Sequence, residues 1–263
     1  VKLLEADRRA GRPMRMIILK ARQWGGSTVV EMYMAWIQTV LATNCNAIVC
    51  GAEMRGSQVV LNLYSDMLAY YPPELWEGEK PPKMKTTRGI LQVEGRDNSI
   101  YVAASTNPDA VRGANAALVH LTEAAYWKSS RLRDPWDAVR AIYCSVPMAP
   151  MTMIVMESTA DGVGSFFHEE WLRAESGQSG KRAVFVPWYE IRSNTLRFPA
   201  EEDARRLWEQ MDTYEQALWH DTGLTLEQIY WYHCRRREMK EHSKMMSEFP
   251  STSMEAFTSS SRN

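Results

Sequence analysis

The sequence predicts an α/β fold: a mainly parallel central sheet flanked by helices, followed by a small helical subdomain. Three patterns carry this expectation. Apolar strand-like runs alternate with helix-period stretches from residue 16 to residue 70, and near-continuous apolar runs recur at 116–121 and 151–158. After Ser193 the patterns are charged and helical, with no strand between them. We therefore divide the chain into a core over residues 1–193 and a helical lid or linker over 194–263.

The elements follow in order. Residues 16–20 form a first strand, and apolar residues at helical spacing put a helix over Ser27 to Ala42. "NAIVCGA" (46–52) is a second strand and residues 55–70 an amphipathic helix. The Pro-rich, charged stretch 70–85 suits a surface loop. "GILQVEG" and "NSIYVAAS" flank a short Arg-Asp turn, the pattern of an antiparallel hairpin. "AALVHL" (116–121), "MTMIVMES" (151–158) and "RAVFVPWYEI" (182–191) supply further strands. Helical patterns then cover 200–211, 213–223 and 225–244, with Thr225 as the N-cap of the last.

Composition narrows the function classes. The chain of 263 residues is long enough for one large α/β domain or a domain with a small appendage. Its 31 basic and 32 acidic residues give a net charge of -1, which argues against a strongly basic DNA-coating protein. Nucleic-acid contact must then be local or shared among subunits. Cys45, Cys50, Cys144 and Cys234 lack CxxC spacing, and without a signal peptide they suit reduced, mostly buried thiols in a cytoplasmic setting. No apolar run approaches the roughly 20 residues that span a bilayer. The start at Val1 and the Ser-rich end suit a piece of a longer protein.

Three stretches carry chemistry. "KARQWGGST" (20–28) follows the first strand and opens a helix, as a phosphate-binding loop does, with backbone N–H groups and a helix N-terminus to cradle phosphates. Aligned on Gly25, Ser27 takes the Mg²⁺-binding hydroxyl position and Gly26 stands where the lysine would be. The cation moves to Lys20 at the front of the loop, with Arg22 nearby. A plain strand-turn-helix using the glycine pair for tight packing is the other reading of these residues. "ALVHLTEAAYW" (117–127) ends an apolar strand in Glu123, a candidate for activating water, with Thr122 where an Asp would stand. "ESTADG" (157–162) puts Ser158 and Thr159 after another strand, as a γ-phosphate sensor would be, or as an ordinary turn with Gly162 left-handed. In this order the three would meet along one sheet edge, where α/β proteins place ligands.

With these motifs the sequence resembles the ATPase domain of the large terminase subunit of tailed bacteriophages, a P-loop NTPase of the catalytic-glutamate type. "KARQWGGST" is similar to that family's deviant Walker A loop, "VHLTEAAYW" to its Walker B strand and "ESTADG" to its coupling motif, while "VFVPWYE" and "EFPSTSMEAF" are similar to its later segments. The resemblance implies that residues Lys20, Ala21, Arg22, Gln23, Trp24, Gly25, Gly26, Ser27 and Thr28 bind ATP, with Ser27 on Mg²⁺ and Arg22 sensing the γ-phosphate. It implies that Glu123 is the catalytic carboxylate, that Ser158 and Thr159 couple, and that Arg112 acts on a neighbouring subunit's ATP. Two departures stand out. Thr122 replaces the Asp that steadies the metal's outer shell, for which Asp161 is a candidate substitute, and residues 1–15 contain no Gln for the adenine.

The implied reaction is ATP hydrolysis driving double-stranded DNA into a procapsid, by a ring resembling a pentamer on the portal protein, with the small terminase subunit as a partner, in the host cytoplasm. The chain stops about where the family's nuclease domain would begin, so no nuclease activity is expected from it. The densest basic stretches, 131–140 and 233–240, interleave acids and suit solvated or inter-subunit faces more than a DNA groove. The rival functions are another DNA-dependent P-loop motor such as a helicase, which unwinding would reveal, and a catalytically silent assembly module, which lack of Mg·ATP affinity would reveal.

Overall fold

The apolar run near the N-terminus becomes β1 (Met14–Lys20), buried at every position except Arg15. A computed structural model describes residues 1–71, 74, 83–87, 90–107, 113–129 and 134–258. Among the described residues eight strands form one sheet in the order β3-β4-β5-β2-β6-β7-β1-β8. Strand β2 (Asn46–Gly51) pairs in parallel with β5 (Asn98–Ala104) on one side and β6 (Ala116–Thr122) on the other, and β6 pairs in parallel with β7 (Met153–Ser158). The edge formed by β3 (Met84–Thr87), β4 (Ile90–Val93) and β5 is antiparallel. The mixed but mostly parallel sheet thus agrees with the expected α/β class.

Burial explains the central strands. Every residue of β7 is buried, as are all of β6 but Ala117, the signature of strands covered on both faces. The helices that cover the sheet include α2 (Gly26–Trp36) and α3 (Met54–Ala69). Helix α2 is shorter than its periodicity predicts because a five-residue π turn, Ile37–Leu41, takes over. There the buried Gln38 donates to Cys45 O at 2.5 Å and its own carbonyl accepts from Asn98 Nδ2 at 2.6 Å, so side chains compete for the ladder.

Other differences have local causes. Helix α1 (Lys2–Arg9), α4 (Pro135–Ser145) and α5 (Phe166–Glu175) were not expected, and β3 lies in a stretch whose prolines suggested only loop. Strand β8 (Arg182–Val186) stops early because Pro187 has no N–H for the ladder, and a 3₁₀ turn over Trp188–Glu190 follows. Thr225 does cap a helix, exchanging bonds with Gln228 at the start of α8 (Leu226–Met239). The pattern then breaks at Lys240, whose φ of 62° no right-handed helix tolerates, before α9 (His242–Glu248) and α10 (Ser253–Thr258).

The chain forms two compact units: Val1–Ile18, Gly25–Ser158 and Ser165–Val184 in the first, Leu19–Trp24, Thr159–Gly164 and Phe185–Asn263 in the second. The first holds most of the sheet, with Ile17, Ile48, Leu118 and Val155 at its core. The second contains α6 (Glu201–Gln210), α7 (Thr213–Thr222) and α8 to α10 around Trp188. The fully buried Trp188 stacks on Trp231 at 5.2 Å, and its indole N–H donates to Ser251 Oγ at 3.0 Å. Cys45 and Cys50 are buried, with thiols pushed up by burial to about 11 and about 12, whereas Cys144 is exposed and Cys234 half-buried. Among the described residues no helix is long and apolar enough to cross a membrane.

Candidate functional site

The loop between β1 and α2 turns through two left-handed residues, Gln23 at φ 63° and Gly25 at φ 81°. A Cβ at Gly25 would meet nothing within 4 Å, so the glycine is required by conformation and not by space. Helix α2 then starts without a side-chain cap, so the unpaired amides of its first turn are suited to an anion. Gly26 is buried, and Ser27 and Thr28 are half-buried in that turn.

In the second unit, the front of this loop is tied down by backbone bonds. Ala21 N donates to Val186 O at 2.9 Å, and Arg22 N donates to Glu248 O at 2.8 Å. The Arg22 guanidinium, 61% exposed, also pairs with Glu248 at 2.9 Å. Lys20 is buried, and Trp24 packs on the Trp188 core.

In the first unit a carboxylate lies beneath the helix start. Ser27 Oγ donates to Glu157 Oε1 at 2.8 Å, and Thr122 Oγ1 donates to the same oxygen at 2.6 Å. Thr122 and Glu157 are rung partners at the ends of β6 and β7. His120, two residues back on β6, places Nε2 3.4 Å from that oxygen and Nδ1 2.6 Å from Glu31 Oε1. Glu31 follows Ser27 by one helical turn of α2, so one helix face presents both. Burial works against a charged His120, but the neighbouring carboxyl groups of Glu157 and Glu31 outweigh this and raise the ring to about 9. Burial pushes the Glu31 carboxyl up, with His120 opposing. The ring therefore sits between two buried carboxyl groups that favour its charged form.

Glu123 lies just past β6 in the left-handed region, φ 51°, an uncommon conformation for a residue with a side chain and one found at functional turns. Ser158 is buried at the end of β7, where its hydroxyl accepts from Ala125 N at 3.1 Å, linking the two strand ends. Thr159 is buried and Asp161 half-buried in the second unit. Arg112 lies outside the described residues, as do residues 131–133 of the first basic stretch. The basic side chains that are described are largely paired at home: Arg140 with Asp137 at 2.8 Å, Arg235 with Glu238 at 2.8 Å and Arg236 with Asp212.

Among the described residues no group of three or more His, Cys, Asp or Glu side chains is arranged to hold a metal. The oxygen donors at Ser27 suit Mg²⁺ nevertheless, because that ion keeps several waters and takes few protein ligands beside phosphate oxygens.

No protein-family profile matches the chain. Among solved structures, the large terminase ATPase domain of Thermus phage P74-26 superimposes with a TM-score of 0.56 at 13% identity, covering 94% of this chain and 91% of that one. The HK97 bacteriophage large terminase gives 0.55 at 16% identity over 81% of this chain, and the large terminase from a thermophilic bacteriophage in complex with ADP gives 0.53 at 13% over 80%. The chain has the fold of a phage large terminase ATPase domain. It spans 46% of the HK97 protein and 47% of the ADP-bound terminase.

On this terminase fold, three residues that motif reasoning passed over form the buried centre: Glu31, His120 and Glu157. Glu31 and His120 each interrupt an apolar run, "VVEMYMA" and "ALVHL", and Glu157 ends one, "MTMIVME". Ionisable groups are rarely fully buried without a partner, so these interruptions in strands and a helix predicted to be covered were the available signal.

Proposed function

We propose that the chain binds Mg·ATP and hydrolyses it, and that hydrolysis drives double-stranded DNA into a procapsid. The observation that carries this reading is the glycine-hinged turn from β1 into an uncapped α2, with Ser27 in its first turn, in a chain with the terminase ATPase fold. The ADP held by a thermophilic bacteriophage's large terminase of the same fold supports a nucleotide here. Lys20, Arg22 and the amides of residues 23–28 serve the phosphates and Ser27 serves Mg²⁺, which supplies charge neutralisation across the phosphate oxygens when bound. Glu123 orients or deprotonates the attacking water, Ser158 and Thr159 report the loss of the γ-phosphate, and Arg112 completes the site of a neighbouring copy in a ring on the portal. Positioning and electrostatic stabilisation, not covalent chemistry, would supply most of the rate.

The test is Mg²⁺-dependent ATP hydrolysis over a range of protein concentrations, with nucleotide binding measured in parallel and Glu123→Gln and Arg112→Ala as comparisons. Turnover should rise faster than linearly with protein, vanish in Glu123→Gln and drop sharply in Arg112→Ala while both variants still bind nucleotide. A folded wild-type chain with no nucleotide affinity would instead favour the silent assembly module.

A further inference from the structure

A hydroxyl that ligates Mg²⁺ does so through a lone pair, so its single proton must be directed elsewhere, and a carboxylate acceptor does this best. The sequence leaves that acceptor unassigned, because Thr122 occupies the position from which an aspartate would reach the loop.

The structure supplies an acceptor one strand away. Glu157 is the β7 rung partner of Thr122, is fully buried, and takes the Ser27 proton at 2.8 Å. Thr122 is not a neutral filler, since its hydroxyl donates to the same Glu157 oxygen at 2.6 Å and so fixes where that oxygen points. His120 lies 3.4 Å from the oxygen and is itself held by Glu31. Two donors, with the His120 ring beside them, therefore set one carboxylate oxygen against a half-buried Ser27 hydroxyl whose lone pairs stay available.

We propose that Glu157 is the positioning residue for the metal: the carboxylate that orients Ser27 and the metal's outer shell has moved from β6 to the same rung of β7, leaving Thr122 as its support. This rests on the Mg·ATP reading of the loop. It assigns a role to a buried residue that opens the "ESTADG" stretch but had none in the reading of that motif, and it explains why the terminase fold here can do without an acidic residue before Glu123.

The experiment is nucleotide affinity with and without divalent metal, on the full chain, with Mn²⁺ binding in the presence of ADP followed by electron paramagnetic resonance. In wild type, binding in the presence of a chelator tests the nucleotide site, and tightening on adding Mn²⁺ tests the metal site. Glu157→Gln should keep its metal-free ADP affinity within about twofold and lose Mn²⁺ affinity by roughly 10- to 100-fold, as outer-shell changes do. The exchange Thr122→Asp with Glu157→Thr, which returns the carboxylate to β6 at the same rung, should recover most of that loss, and it keeps the proposal testable if Glu157→Gln fails to fold. Unchanged Mn²⁺ affinity in folded Glu157→Gln overturns the proposal, and so does equal loss of metal-free and metal-dependent binding, which marks a structural role. No recovery in the folded exchange variant overturns it as well. A wild-type chain that binds no nucleotide under either condition removes the Mg·ATP reading and this proposal together.

Discussion

Arg22 holds Glu248 at both ends, its backbone N–H on the Glu248 carbonyl at 2.8 Å and its guanidinium on the carboxylate at 2.9 Å. The loop arginine assigned to the γ-phosphate is thus already engaged by an anion from the end of α9. On the proposed reading of the loop, a phosphate would compete with that carboxylate for the same guanidinium. The arginine is mostly exposed, so the pair is screened and is worth about 0.2–1 kcal/mol at most.

Glu248→Gln should therefore tighten ATP binding by up to about fivefold at low salt. The gain should shrink toward nothing as salt is raised, because screening weakens the wild-type pair too. Isothermal titration at two ionic strengths reads this directly. Weaker binding at low salt would mean that Glu248 holds the loop in its competent form instead of competing for it.

Trp188 ties the second unit together. It is fully buried, stacks on Trp231 at 5.2 Å, packs against the tilted ring of Tyr232 at 5.1 Å, and bonds to Ser251, which also bonds to Tyr214 at 2.8 Å. Trp188→Ala should cost about 3–5 kcal/mol through lost burial and a cavity. Ser251→Ala should cost less, about 1–3 kcal/mol, by leaving the indole N–H without its acceptor. Denaturant midpoints from circular dichroism give both values, and an Ala variant at Trp188 within about 1 kcal/mol of wild type would refute this account of the helical core.

These two sites also mark what sequence can and cannot disclose. The alternation of β1, α2, β2 and α3 was legible because covered strands and amphipathic helices leave different periods in the chain. The turn at Gly25 was legible because a left-handed residue before a helix favours glycine. The hydrogen bond from Ser27 to Glu157 was not, since 130 positions separate them and only strand order brings β7 beside β6 and α2. Likewise nothing local in "MSEF" says that Glu248 will meet Arg22. The break at Lys240 was hidden as well, because a helix-favouring lysine there sits at positive φ in a tight turn closed by Glu241 N on Met239 O at 2.7 Å.

The buried His120 makes stability depend on pH in a definite direction. Its ordinary value of 6.5 is raised to about 9 because, although burial opposes the charge, the carboxylates of Glu157 and Glu31 hold the proton. Between those values the folded chain binds a proton that the unfolded chain has released. The stabilisation is complete below about 6.5 and is lost as pH rises through about 9. Denaturant stability should therefore fall by about 1–3 kcal/mol from about pH 6.5 to about 9.5, a range set by the size of the shift and its coupling to two carboxylates. Ring ¹⁵N signals should show one imidazolium persisting at about pH 8, which His168 and His242, both lowered by burial, cannot supply. A flat stability profile over this range, or only neutral rings at that pH, would mean that the two buried carboxylates share a proton between themselves and that His120 stays neutral.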